Sequence, residues 1–178
     1  MAKKQLVKEL EKQDKEELVR ILGEMAKRFP IANMYLTMEF GFESAGIIEK
    51  YKKAIEKEYF PNRGHGKARS SRVNKILKEF AQIAAFKDDI LEMQWYQIQR
   101  AVTYYQAYHH EYEPFINNLL KNWTVFLSAT KSENSLSHFE KRIEDLFTDH
   151  FRRYWLYSKL WKIYEAPDAV EEELTETE

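Results

Sequence analysis

The chain has 178 residues, a formal charge of −1, no cysteine, five glycines and four prolines. That length suits one domain with a real core. The missing cysteines exclude a disulfide framework and thiolate chemistry, and so few turn-forming residues argue against a strand-rich sandwich or barrel.

In chain order, Leu6, Val7 and Leu10 predict a short amphipathic helix. Asp14 to Glu17 has the spacing of a reciprocal capping box, and Leu18, Ile21, Leu22 and Met25 follow at helical spacing up to Phe29-Pro30. A further helix fits Ile31 to Phe40. Another starts at Glu43-Ser44, carries Ile47, Ile48, Tyr51, Ile55 and Tyr59, and ends at Pro61. Val73, Ile76, Leu77, Phe80 and Ile83 form the next stripe, with Ser70 or Ser71 as its cap. Asp88 or Asp89 is expected to cap a helix whose inward face is Leu91, Trp95, Ile98, Val102 and Tyr105. Pro114 suits a helix first turn, followed by inward Phe115, Leu119, Trp123 and Phe126. Ala129 to Ser137 reads as a polar connection ending in a second capping box, Ser137 to Glu140. One long aromatic-rich C-terminal helix should then run through Ile143, Phe147, His150, Tyr154, Tyr157, Trp161 and Tyr164 to Pro167. The expectation is an all-α fold of seven to nine helices, a single helical domain over 1–166, and an acidic, disordered tail over 167–178.

Several chemistries are missing from the sequence. Gly66-Lys67 is followed by Ala68 and preceded by a helix, so it is not a P-loop. No Glu-x-x-His pair offers a di-iron bundle site. His109, His110, Glu111 and Glu113 are the densest ligand cluster, but neighbouring histidines on a helix point apart and would share a metal only in a loop. Asp145, Asp149 and His150 lie within two turns, with His150 better read as part of the aromatic stripe. No metal, cofactor or catalytic residue is expected.

The stretch FPNRGHGKARSSR, residues 60–72, stands apart. Between Pro61 and Phe80 six Lys or Arg face one Glu, whereas from Glu165 onward seven acidic residues meet no base. Lys67, Arg69 and Arg72 crowd a helix N-terminus, where the macrodipole favours negative charge. An arriving anion would reverse that cost. Arg63, His65, Lys67, Arg69 and Arg72, with Ser70 and Ser71 as hydroxyl donors, are therefore the candidate anion-binding site, and Gly64 and Gly66 would let backbone approach the anion. The acidic tail is a rival occupant of the same loop. The loop carries one aromatic, Phe60, read as core, so no stacking platform is expected beside it. In the C-terminal helix the aromatics cover more than one face, which points to self-association through Phe151, Trp155, Tyr157 and Trp161 and a possible homodimer.

KEELVRILGEMAKRFP and YKKAIEKEYFPNRGHGKARSSRVNKILKEF resemble a family of small bacterial helical proteins classed as a domain of unknown function. The resemblance covers mainly residues 13–86, weakens to 127, and leaves the aromatic helix and tail as this chain's own. It implies an all-α fold and a bacterial cytoplasmic setting, with no activity to carry over, and it favours a role for Arg63, Lys67 and Arg69.

The opening MAKKQLVKELEKQ lacks the apolar run of a signal peptide and no stretch approaches a membrane span, so a cytoplasmic protein with no membrane contact is expected. The functional reading is an uncharacterised, non-enzymatic helical interaction module whose basic loop 61–72 binds an anionic ligand or nucleic acid. One alternative is an enzyme or binding protein for a phosphorylated small molecule, with His65 as acid or base. The other is a purely structural protein-protein interaction protein.

Overall fold

The structure is a computed structural model that describes residues 2–147 and 154–166. Those residues form helices throughout, with no strand: α1 (Ala2–Leu10), α2 (Lys15–Arg28), α3 (Pro30–Glu39), α4 (Ser44–Tyr59), α5 (Ser70–Ile83), α6 (Lys87–Tyr108), α7 (Glu113–Ser132), α8 (Leu136–Leu146) and α9 (Trp155–Glu165). The all-α expectation holds, with nine helices among the described residues.

Local chemistry accounts for three of the helix starts. Asp14 accepts a hydrogen bond from the Glu17 N–H at 2.8 Å, covering one of the free amides of α2. The Glu17 carboxylate turns to Arg20 instead, so only half of the capping box forms. Pro30 and Pro114 occupy the first turns of α3 and α7, where their missing N–H costs nothing.

Three expected caps are not used. The cap position of α5 is Arg69, and Ser70 and Ser71 are its first helical residues. The cap position of α6 is Phe86, and Asp88 and Asp89 lie inside the first turn, where they still complement the macrodipole. The cap position of α8 is Ser135, with no side-chain cap bond, because α7 continues to Ser132 and the expected polar connection shrinks to residues 133–135.

α6 is the central element. Its stripe Leu91, Trp95, Ile98, Val102 and Tyr105 is buried, and so are Met93, Gln97, Ala101 and Tyr104 on a second face. The stripe turns Trp95 to Trp123 and Phe126 of α7, and the second face turns Tyr104 and Gln97 to Tyr59 of α4. Gln97, 1% exposed, donates to the Tyr59 hydroxyl at 2.9 Å and accepts from Asn122 at 3.0 Å, so a buried amide is satisfied while it ties α4, α6 and α7 together. Trp95, Trp123, Phe126 and Phe139 form the aromatic centre, joined from α9 by a hydrogen bond from the Trp123 indole to the Leu160 carbonyl at 2.9 Å. Arg142 of α8 clamps Glu92 of α6 at 2.5 and 3.0 Å.

The C-terminal aromatic run is two helices rather than one. α8 ends at Leu146, with Phe147 at its cap position, and α9 starts after an extended Tyr154. The periodicity could not reveal the break, because both helices turn their rings to the same neighbours: Phe147 meets Trp123 of α7 and Tyr157, Trp161 and Tyr164 of α9. His150 and Phe151, and the whole 167–178 tail, lie outside the described residues.

The N-terminal arm contrasts with this core. α2 buries no residue, and Leu6, Val7, Val19, Leu22, Met25 and Phe29 are all exposed. Among the described residues no helix is long and apolar enough to cross a membrane.

Candidate functional site

α4 and α5 converge on the loop between them, and Glu58 explains how that loop is held. Its side chain is 7% exposed and receives Arg69 in a two-pronged bond, Nη2 to Oε1 at 2.9 Å and Nε to Oε2 at 3.1 Å. Arg72 adds an ion pair from Nε to Oε1 at 3.2 Å. The hydrogen bonds from Arg69 hold the Glu58 carboxyl below its ordinary range, against the opposing pull of burial, and the charges of Arg69 and Arg72 reinforce them. The anion expected near the N-terminus of α5 is thus supplied by the chain itself.

The backbone follows the same plan. The Ala68 N–H donates to the Glu58 carbonyl at 3.0 Å, and the Tyr104 hydroxyl donates to the Gly66 carbonyl at 2.8 Å. A Cβ on Gly66 would lie 1.9 Å from the Tyr59 carbonyl oxygen, so this position admits only glycine. Gly64 has φ +73, the left-handed region that glycine enters freely. The glycines therefore serve the loop's own packing, Gly66 by close approach to α4 and Gly64 by its backbone angle.

The seven candidate anion-site residues divide accordingly. Arg69 and Arg72 are turned to Glu58. Ser70 and Ser71 lie in the first turn of α5. Arg63, His65 and Lys67 are exposed, and with Lys57, Glu58 and Arg69 they line a cleft of about 220 Å³. Lys57, Glu58 and the α4–α5 helices continue that cleft into a larger groove of about 780 Å³, lined also by Lys50, Lys53, Arg72 and Lys75. In the groove Lys53 pairs with Glu49 at 4.0 Å and Lys75 with Glu79 at 3.8 Å. Lys50, Lys57, Arg63 and Lys67 have no carboxylate within ion-pair distance among the described residues. Lys50 and Lys57, two turns apart on α4, set charges about 10 Å apart along one wall.

Sequence reasoning missed the lysines of α4, which look like the solvated face of an amphipathic helix, and it missed Glu58, one carboxylate among many on that helix. It also missed the rings beside the loop. Phe60 is half-buried, and Tyr108 at the end of α6 lies 5.5 Å from the His65 ring, 6.2 Å from Phe60 and 4.8 Å from Tyr104. Arg100 lies over Phe60 at 5.8 Å. An aromatic rim is present, contributed by a helix some forty residues further along the chain.

The other candidates separate. α6 ends at Tyr108, so His109 and His110 do fall in a loop, yet His109 faces Tyr154 and His110 faces Tyr104 and Phe115. No group of three ligating side chains suited to a metal ion occurs among the described residues. Of the self-association residues, Tyr157 and Trp161 stack on each other at 5.9 Å and both meet Phe147 edge-on, inside this chain. Trp155 is the exposed ring, with Lys159 lying over it at 4.7 Å.

No curated protein and no solved structure matches the chain. A family model, "Family of unknown function (DUF6155)", matches residues 1–167, which takes in α8 and α9 and so extends beyond the stretch in which the sequence resemblance was expected. The basic groove, the loop locked on Glu58 and the aromatic helices all lie within that match, and the chain belongs to the DUF6155 family of unknown function.

Proposed function

We propose that this protein is a helical interaction module that binds an anionic partner along the groove formed by α4, the 60–69 loop and α5. The observation that carries this reading is the row of unneutralised cations Lys50, Lys57, Arg63 and Lys67 beside a loop whose other two charges are already satisfied by Glu58. A loop held by internal bonds presents its remaining charges with little ordering left to do on binding. Arg69 and Arg72 act as its frame, and Arg63, His65 and Lys67 as its contact edge.

Titration with inorganic polyphosphate at two salt concentrations tests the reading. Binding should weaken as salt rises and should fall at least tenfold when Lys50, Lys57, Arg63 and Lys67 are all changed to alanine. Binding that ignores both salt and the fourfold change would overturn it.

A further inference from the structure

The groove alone has few free cations, and affinity from phosphate contacts scales with the number neutralised. A partner that bound through charge only would be held weakly. The aromatic rim supplies a second source of binding in the same place. Tyr108 is 42% exposed at the end of α6, and its ring is braced by Tyr104, Phe60 and His65. His65 is itself exposed and lines the cleft with Arg63 and Lys67, so its contact with Tyr108 links the ring to the cleft in which those cations lie. A braced, half-exposed ring next to a basic groove is the combination with which single strands are bound, phosphates on the cations and a base on the ring. Duplex bases are stacked on one another and cannot use it.

Resting on the anion-binding reading above, we infer that the partner is a single-stranded nucleic acid, whose backbone follows Lys50, Lys57, Lys67 and Arg63 and one of whose bases stacks on Tyr108 beside His65. Tyr112 is more exposed, at 62%, but its sequence neighbours are the carboxylates of Glu111 and Glu113, which repel a phosphate backbone. That places the stack at Tyr108. The inference gives His65 an edge-on partner role, holding the Tyr108 ring upright against the base, and needs no proton transfer from it.

The test compares a fluorescein-labelled mixed-sequence 20-mer single strand, the same sequence as a duplex, and heparin, which has charge but no bases. Each is titrated with the full chain, with Tyr108→Ala, with Tyr108→Phe and with the double change Arg63→Ala/Lys67→Ala. The single strand should bind more tightly than the duplex at matched salt. Tyr108→Ala should weaken single-strand binding roughly 5- to 100-fold, the loss of one stacked base, and leave heparin unchanged, while Tyr108→Phe keeps wild-type binding. The charge variant should weaken all three. Equal binding of single strand, duplex and heparin, with Tyr108→Ala silent, overturns the single-strand inference and leaves the anion-binding reading standing. No binding of any of the three overturns both.

Discussion

Within sixteen residues the same side-chain types meet two fates. Arg69 and Arg72 turn in to the buried Glu58, while remaining partly exposed, and fasten the loop to α4, whereas Lys57, Arg63 and Lys67 line the cleft with no carboxylate partner among the described residues. The inward group carries a carboxylate that is almost wholly buried, so its arginines have a local use in folding. The outward group has no such partner, and its charges remain available to something outside the chain. A count of basic residues merges the two groups. What separates them is one acidic residue eleven positions before Arg69, on the buried face of the preceding helix.

The contrast can be broken most severely through the backbone. Gly66→Ala forces a Cβ against the Tyr59 carbonyl and should cost about 3 kcal/mol, read as a lowered urea midpoint. Gly64→Ala, strained only by its φ, should cost about 1 kcal/mol. The floor beneath the inward group responds to alkali: burial pushes the Tyr59 hydroxyl up to about 12 from an ordinary 10. The folded state therefore holds that proton more tightly. The associated stability is fully present below pH 10 and is lost as pH rises through about 12, and Tyr59→Phe should flatten that limb of the unfolding profile.

Glu58→Gln keeps the shape but removes the charge that pairs with both arginines. It should cost about 1–2 kcal/mol at neutral pH. Because the folded Glu58 carboxyl titrates below its ordinary value, its contribution is present above that value and lost as pH falls through the folded one. The gap between wild type and Glu58→Gln in denaturant should therefore shrink in acid. The smallest stability effect belongs to the outward group: Arg63→Ala and Lys67→Ala should leave the unfolding free energy, read from urea titration, within about 0.5 kcal/mol of wild type, while lowering polyanion affinity. A large loss of stability from either would erase the distinction.

Much of the fold was legible because apolar periodicity is strong in α4 to α7, and nearly every residue read as inward there is at least half-buried. Periodicity fails in two instructive places. α2 has as clear an apolar stripe as α5, yet α5 buries Val73, Phe80 and Ile83 whereas α2 buries nothing. A stripe reports that a face wants cover and does not report whether its own chain provides it. The aromatic run after Ile143 kept its period across a break, since α8 and α9 point their rings at one shared core.

The loop stands out in the sequence, and its exposed residues Arg63, His65 and Lys67 line one cleft. The structural use of its glycines was not legible, because the atom Gly66 avoids, the Tyr59 carbonyl oxygen, is a tertiary neighbour, and Gly64 answers to its own backbone angle. The rim was invisible for the same reason: Tyr108 reaches His65 across forty-three residues of chain, and local patterning contains no trace of that approach.

The most direct measurement of the central claim is amide hydrogen exchange on the full chain, with and without a saturating single-stranded 20-mer. Added protection confined to α4 from Lys50 onward, residues 60–69, the first turn of α5 and the end of α6 is the predicted result. Protection that appears instead on the exposed apolar face of α1 to α3, with the groove unchanged, would contradict the account.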